Sequence, residues 1–469
     1  MRLFLTILFL AVTCADSATV TICEFYDNRK CAVAWTSDDL FYSPGYSRYD
    51  RFMDAAHLAV SNHMVYSPGV VTKNVHPFTG MPHLDGWTPL QTEVAIDKLI
   101  PITHSFTHPV DITTTTYSNE YVFSRTDLLS EIEYPWQFTY KGKEYLPAFI
   151  QWGGCTNIDY DVSRQYLTSN DYLACRWVNQ TSSGEWPAWN ESLTLYGHTS
   201  QLGMVNTTVR DGRVMDGKWS NTFDNVYASG GIYVEYDHAW QDYGWVYGTN
   251  SAKWAAFVDY VGNRKDVWYV DFSSLYTYHY LQDQVPPTIT TTNLGPVFEF
   301  TVTGDSAERD KYGLSYPLTY KFTKPAGWMH SVGVYVYYRD TMATNWALME
   351  EKTTNDYFTG INTFRDANDV VYISQGLPQT SDTFDLLIKP CRVPQHLQAF
   401  SCDGAWFCAD VIKEDVVPML QYTTNLLNPA WTDCTPSSIE TNGAVYRLYI
   451  DPTNFGRRAY FRAVKDISP

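Results

Sequence analysis

Residues 30–39 of this 469-residue chain read KCAVAWTSDD, and this stretch decides how the first half is expected to fold. Residues 30–35 are apolar enough for a buried strand, and two hydroxyl residues then lead into Asp38 and Asp39. Adjacent carboxylates at the carboxyl end of a buried parallel strand lie where α/β barrels keep their active sites. They repel each other, so a metal, a basic partner or a raised pKa must compensate. Taken alone, the pair equally suits a helix cap or a solvated turn.

Strand-like and helical segments alternate along the chain up to about residue 285. Residues 49–61 have helical periodicity, which places Phe52, Ala55, Ala56 and Ala59 on one face. Helices are also predicted at 87–99, 123–132 and 252–261, and further strands at 63–71, 145–150, 231–236 and 266–269. Such alternation favours parallel strands with helical crossovers, as in an α/β barrel or a wound sheet.

The pattern changes after the two prolines at 286–287. Residues 288–303 and 331–338 alternate in strand fashion, which predicts a β-sandwich. The expected division is a signal peptide at 1–18, an α/β domain at 19–286, a β-sandwich domain at 287–390 and a small β domain at 391–469. A mature chain of roughly 450 residues is long for one domain and suits this division.

The amino terminus predicts export. One basic residue precedes an apolar run at 3–12, and small or polar residues follow to Ala18, as in secretory signal peptides. The apolar run is too short to cross a bilayer, and no later segment has the composition of a membrane anchor. Lipidation at Cys14 is the alternative, although Thr13 is a poor residue before a lipidated cysteine. We expect a secreted or periplasmic protein.

Removing the signal peptide leaves eight cysteines, and an exported protein favours disulfides. Spacing suggests the pairs Cys23–Cys31 and Cys155–Cys175, with buried free thiols as the alternative. Two further pairs are expected among the C-terminal cysteines Cys391, Cys402, Cys408 and Cys434. The formal charge of −18 argues against nucleic acid and anionic membranes as partners.

A second polar motif lies at 103–109, THSFTHP, again after a strand-like run. His104 and His108, four residues apart, can face one side of a turn and hold a divalent metal. An isolated pair of this spacing is common by chance. Together with one carboxylate of the Asp38–Asp39 pair, however, the histidines form a three-ligand site with open positions. The other aspartate would remain as a base.

The order T-x-D-D at 36–39 and then H-S-x-x-H-P at 104–109 resembles the first two motifs of the polysaccharide deacetylases. These are metal-dependent carbohydrate esterases with a distorted (β/α) barrel, and the resemblance covers roughly residues 22–285. It implies that Asp38 is the general base and that Asp39, His104 and His108 hold a metal, usually Zn²⁺. Ser105 would be the structural hydroxyl of the second motif.

The third family motif, Arg-x-Pro-Tyr/Phe followed by Gly, corresponds less closely to residues 149–154, FIQWGG. Gln151 stands where the family has its arginine, which leaves open how Asp38 is oriented. Arg176 is the candidate replacement. By the resemblance Gln151, Trp152 and Gly153 line the substrate site, where a backbone N–H steadies the oxyanion. We find no clean copy of the fourth motif.

The fifth family motif, Leu-x-His, corresponds to residues 236–238, YDH, with tyrosine in place of leucine. His238 would then be the general acid, and His198 is its rival. The C-terminal stretch at 422–431, YTTNLLNPAW, is similar to small β-sandwich modules at the ends of exported bacterial proteins.

The resemblance implies removal of N- or O-linked acetyl groups from an extracellular polysaccharide. Two alternatives stay open: a non-catalytic carbohydrate-binding protein on a degenerate deacetylase fold, and a hydrolase of small C–N amides on the same scaffold. The intact Asp38, Asp39, His104 and His108 favour catalysis, whereas Gln151 favours the binding protein.

Overall fold

The structure is a computed structural model, and the part of the chain that it describes excludes most of the predicted signal peptide. The described residues are 18–40, 47–72, 87–97, 99–109, 116–135, 138–145, 148–150, 165–167, 169–176, 218–237, 251–294, 297–325, 328, 333–352, 362–367, 369–395, 397–403, 406–412, 419–423, 432–442, 445–451 and 460–466. Within these ranges, no helix combines the length and hydropathy that a membrane-spanning helix needs.

Strands and helices alternate through the N-terminal half. In chain order the elements are β1 (Thr19–Ile22), β2 (Cys31–Leu40), α1 (Ser47–Ser61), β3 (Tyr66–Val70), α2 (Trp87–Asp97), β4 (Ile102–Thr103), α3 (Ser124–Glu131), β5 (Thr139–Tyr140), β6 (Lys143–Glu144), β7 (Ala148–Ile150), β8 (Ala174–Arg176), α4 (Lys218–Ser229), β9 (Ile232–Asp237), α5 (Ser251–Val261), β10 (Val267–Tyr269) and α6 (Phe272–His279). Short π-helical turns at Asn119–Phe123 and Tyr280–Gln284 adjoin α3 and α6.

Seven of these strands form one sheet in which every pairing is parallel. The order is β10-β2-β3-β4-β7-β8, with β9 paired to β2 as well. Parallel strands need crossovers, and α1 and α2 provide them between β2, β3 and β4. The mixed α/β organisation predicted from the alternation is therefore confirmed.

Strand β2 is the central strand of this sheet. It pairs with β9 over 32–37, with β10 over 31–33 and with β3 from Trp35 onward. The Trp35 ring lies 3.8 Å from the ring of Tyr66 and 4.5 Å from that of Trp254, centroid to centroid. Burial of large aromatic side chains is a main source of core stability, and it anchors β2 here. On α1, the predicted apolar face, Phe52, Ala55, Ala56 and Ala59, is buried.

The sequence predicts that the first long strand ends at Trp35, but β2 continues to Leu40. Thr36 and Ser37 pair on both edges, with Ser67 and Pro68 of β3 and with Tyr236 and Asp237 of β9. Pairing on both edges occupies the backbone groups of these two residues, so the strand continues into Asp38 and Asp39, although aspartate is depleted in strands. The two aspartates consequently lie within β2 instead of in a loop after it.

The second half is almost entirely β-structure. Its first elements are β11 (Thr288–Asn293), β12 (Phe298–Thr303), α7 (Ser306–Tyr312), β13 (Leu318–Thr323), β14 (Val334–Asp340), β15 (Ala347–Leu348), β16 (Glu350–Glu351), β17 (Thr363–Ala367), β18 (Val370–Gln375) and β19 (Thr383–Pro390). They form two five-stranded sheets, β1-β13-β18-β17-β16 and β11-β12-β19-β14-β15. Aromatic rings of the two sheets touch, as Phe300 does with Phe322 at 5.4 Å between centroids.

The last part of the chain forms two four-stranded antiparallel sheets, β20-β27-β23-β24 and β21-β22-β26-β25. Their strands are β20 (Arg392–Gln395), β21 (Leu397–Asp403), β22 (Trp406–Ile412), β23 (Met419–Thr423), β24 (Thr432–Cys434), β25 (Ser438–Asn442), β26 (Val445–Ile450) and β27 (Tyr460–Asp466).

Strand pairing and hydrogen bonds connect the two halves of the chain, in addition to the covalent chain itself. Strand β1 pairs antiparallel with β13, and the Asp27 N–H donates to Thr319 Oγ1 at 2.6 Å. On the β5–β6 hairpin, the Tyr140 hydroxyl donates to Asp382, which also accepts from the buried guanidinium of Arg309 at 2.7 Å. The first strand after the predicted signal peptide thus belongs to a sheet of the second half.

The predicted disulfide Cys23–Cys31 is wrong, because both residues are buried free thiols. The Cys23 N–H, just after β1, donates to the Thr319 carbonyl of β13, whereas Cys31 begins β2 in the parallel sheet, opposite Val267 of β10. Cys391 and Cys434 are likewise free, so the prediction of two pairs among the four C-terminal cysteines is also wrong. Cys155 lies outside the described residues, so the pair Cys155–Cys175 stays a prediction.

A chain that ends at residue 286 is expected to unfold at a much lower temperature than one that ends at residue 390. The shorter chain lacks β13. It therefore lacks the strand that pairs with β1 and the acceptors of the Cys23 and Asp27 N–H groups. Circular dichroism during heating would measure this difference. Equal cooperative unfolding of both chains would show that the N-terminal half folds independently.

Candidate metal centre

The two aspartates lie at a β-bulge in β2. Ser37 pairs with Pro68 and Leu40 with Val70, so β2 advances three residues while β3 advances two. Asp39 has a left-handed backbone with φ 62°, which costs roughly 1–3 kcal/mol for a residue other than glycine. In a regular strand, adjacent side chains point to opposite faces of the sheet. The extra residue breaks that alternation and redirects the Asp39 carboxylate.

The second motif forms a tight turn after β4, which we call the histidine loop (residues 104–108). The His104 N–H donates to the Val70 carbonyl at 2.8 Å, which ties the start of the loop to β3. Ser105 has φ 78°, and its Oγ accepts from the His108 N–H at 3.0 Å. His108 is also left-handed, with φ 54°. This turn brings the two imidazole rings to 5.1 Å between centroids.

Asp39, His104 and His108 converge on one point. The Asp39 Oδ1 atom lies 3.1 Å from His104 Nε2 and 3.2 Å from His108 Nε2. One ligand atom from each residue falls within 4.8 Å of the others. Ligands that each lie 2.0–2.2 Å from Zn²⁺ are separated by about 3.0–3.5 Å, and the Asp39 distances agree with that spacing. The donor set and its geometry therefore fit a divalent cation.

The three candidate ligands differ in exposure. His104 is 1 % exposed, whereas the side chains of His108 and Asp39 are 15 % and 12 % exposed. One side of the cluster is therefore closed by protein and the other reaches the surface. Catalytic metal sites have this character, because three protein ligands leave a position for water or substrate.

Burial lowers the pKa of the His108 imidazole below its ordinary value of 6.5, although the Asp39 carboxylate acts in the opposite direction. The neutral imidazole is consequently favoured in the folded protein. A histidine must be neutral to donate its lone pair to a metal, so this environment prepares His108 for ligation.

Asp38, the predicted base, is buried to 2 % exposure beside this cluster in sequence. It follows Ser37, which pairs with Asp237 at the end of β9. The carboxyl ends of β2 and β9 therefore lie side by side, at the edge of the sheet where the two aspartates are.

Most of the other predicted site residues lie outside the described part of the chain. Gln151, Trp152, Gly153, His198 and His238 lie outside the described residues, although β9 ends one residue before His238. Arg176 is the last residue of β8, at the far end of the sheet order from β10. Two histidines outside the motifs form hydrogen bonds with other side chains: His57 with Glu93, and His279 with Gln282.

One functional candidate was missed by the sequence analysis. Glu120, which is 4 % exposed, accepts hydrogen bonds from the Phe106 and Thr107 N–H groups in the middle of the histidine loop. A glutamate 11 residues after the second motif has no local pattern that marks it. Only its burial in the folded chain singles it out.

Among known proteins, the chain shows similarity only to solved structures. No protein-family model and no curated protein sequence matches the chain. The chain is similar to a solved allantoinase, with 11 % identity and a TM-score of 0.37 over 55 % of this chain and 92 % of that one. It is also similar to a candidate polysaccharide deacetylase from Mycobacterium smegmatis, with 13 % identity and a TM-score of 0.35 over 58 % and 98 %. A similar protein from Pseudomonas aeruginosa PAO1, also described as a polysaccharide deacetylase, has 10 % identity and a TM-score of 0.35 over 55 % and 92 %.

Zinc affinity is expected to be nearly constant at neutral pH and to fall as the pH drops through the lowered pKa of His108, below 6.5. Protons then compete with the metal for the imidazole, so acid weakens binding and alkali does not. Competition with a chromophoric chelator at a series of pH values measures this dependence. An affinity that stays constant at every acidic pH at which the protein remains folded would contradict histidine ligation.

Proposed function

We propose that this protein is a metal-dependent hydrolase that removes acetyl groups from an extracellular polysaccharide. The observation that carries the proposal is the contact of Asp39 Oδ1 with His104 Nε2 and His108 Nε2, at 3.1 and 3.2 Å. A second carboxylate, that of Asp38, stands next to this cluster in the chain and is withdrawn from solvent. One carboxylate is thus committed to the cluster while the other is left for proton transfer.

Asp39, His104 and His108 would hold the cation, for which Zn²⁺ suits a set of two imidazoles and a carboxylate. When bound, such a cation supplies Lewis acidity, which acidifies water and polarises a carbonyl group. Asp38 would accept the proton of the attacking water. Glycosidases set their two carboxylates across the scissile bond at about 5–9.5 Å, whereas neighbours in one strand suit a ligand and a base.

The remaining roles are assigned by the resemblance to the polysaccharide deacetylases. His238, the residue after β9, would protonate the leaving amine or alkoxide. Gln151, Trp152 and Gly153 would line the substrate site, with a backbone N–H that steadies the oxyanion. The proposal includes a distorted (β/α) barrel within residues 19–286, a β-sandwich of residues 287–390 to which β1 adds a strand, a small β domain within 391–469, and export after loss of 1–18.

Acetate release from acetylated polysaccharides tests the proposal. With chitin oligomers, peptidoglycan and acetylated xylan as substrates, zinc-loaded protein should release acetate from at least one, and a chelator should abolish release reversibly. Asp38→Asn should lower kcat by about 10²–10⁴-fold with zinc content unchanged, because it removes only the base. Asp39→Asn should lose zinc as well as activity.

Asp259→Asn is the matched control, because Asp259 is an exposed aspartate on α5 and should leave both quantities unchanged. If zinc-loaded protein binds the polymers without releasing acetate, the carbohydrate-binding alternative replaces the enzyme. Hydrolysis of small cyclic or linear amides, with no release from any polymer, would instead favour the C–N hydrolase.

A further inference from the structure

The histidine loop presents consecutive backbone N–H groups to a single carboxylate. Glu120 Oε2 accepts from Phe106 N at 3.0 Å and from Thr107 N at 2.8 Å, and Glu120 Oε1 accepts from Thr107 Oγ1 at 2.5 Å. Successive N–H groups in a turn form a concave anion-binding nest. Here the anion is a side chain of the protein itself.

The loop needs such support because its backbone is strained. Ser105 and His108 both have positive φ, and neither is a glycine. Each N–H from Phe106 to His108 is bound by a side chain: the first two by Glu120 and the third by Ser105 Oγ. Strained conformations persist only where the surroundings fix them, and Glu120 supplies two of these three backbone contacts.

Glu120 is itself held in place by the core. It lies in the π-helical turn Asn119–Phe123, where its N–H donates to the Thr116 carbonyl at 3.0 Å. The next residue, Tyr121, is buried, and its carbonyl accepts from the Tyr172 hydroxyl at 2.9 Å. The Phe123 ring packs edge to face on that of Phe106, 5.3 Å between centroids. The turn and the histidine loop are therefore packed and hydrogen-bonded to each other.

We propose that Glu120 is a positioning residue of the metal centre, whose carboxylate sets the separation of His104 and His108 by occupying the nest between them. The inference rests on the proposed metal-dependent function. The Glu120 carboxylate acts through the backbone of Phe106 and Thr107, which lie between the two histidines in the loop. Charge-assisted hydrogen bonds to an ionised carboxylate are stronger than neutral ones, which suits this task.

The test compares zinc affinity in wild type, Glu120→Gln and Glu131→Gln. The glutamine keeps the size of the side chain but replaces one acceptor oxygen with an NH₂ group, which faces N–H and O–H donors. The zinc affinity of the Glu120→Gln protein should fall about tenfold or more, as happens when other residues that hydrogen-bond to metal ligands are changed. Glu131 is an exposed glutamate on the adjoining helix α3, so its variant should bind zinc as wild type does.

A readout without metal separates positioning from general stability. In the zinc-free Glu120→Gln protein, the amide hydrogens of Phe106 and Thr107 should exchange faster, while those of the β2 core keep their protection. Thr107→Val removes only the hydroxyl donor and should weaken zinc binding by a smaller factor. This variant also keeps the proposal testable if Glu120→Gln fails to fold.

The outcomes distinguish this proposal from the proposed function. Folded Glu120→Gln and Thr107→Val proteins with wild-type zinc affinity overturn the role of Glu120 and leave the hydrolase standing. A lower melting temperature of zinc-free protein with unchanged zinc affinity shows a structural role only and also overturns it. Wild type that binds no zinc overturns the metal-dependent function, and the role of Glu120 with it.

Discussion

The bulge in β2 is the constraint on which the rest of the site depends. β2 pairs with β9, β10 and β3, so its path is fixed by neighbours on both edges. One extra residue between Ser37 and Leu40, with Asp39 left-handed, turns a carboxylate towards the histidine loop without ending the strand. The backbone strain at Asp39 is held by the pairs that flank it in sequence, Ser37 with Pro68 and Leu40 with Val70.

A second strained turn, carried by the neighbouring strands, contacts Asp39 at the bulge. The histidine loop begins on β4, is tied to β3 through His104 and Val70, and carries two more non-glycine residues at positive φ. Three such positions within one small cluster are costly to stability and are typical of functional sites. The arrangement places two imidazoles around one carboxylate oxygen, where burial favours neutral His108. A cation bound by these three side chains would offset the negative charge of the Asp39 carboxylate.

The sequence predicts all three residues of the cluster and the α/β class of the first half, because both have local signatures. Apolar runs and helical periodicity locate β2 and α1, and the motifs at 36–39 and 104–109 name the residues that converge. Long-range features have no such signature. The pairing of β1 with β13, the free thiol of Cys23 and the contact of Glu120 with the histidine loop depend on segments brought together only by folding. The extension of β2 past Trp35 likewise depends on partners on both edges, which local propensity does not include.

Anomalous diffraction at the zinc edge, from crystals of the zinc-loaded protein, tests the central claim most directly. The account predicts a single strong peak at about 2.0–2.2 Å from the Asp39 carboxylate, His104 Nε2 and His108 Nε2, with Asp38 outside bonding distance. A peak elsewhere, or a zinc ion held by other ligands while Asp39 remains bonded to the two imidazoles, would contradict it.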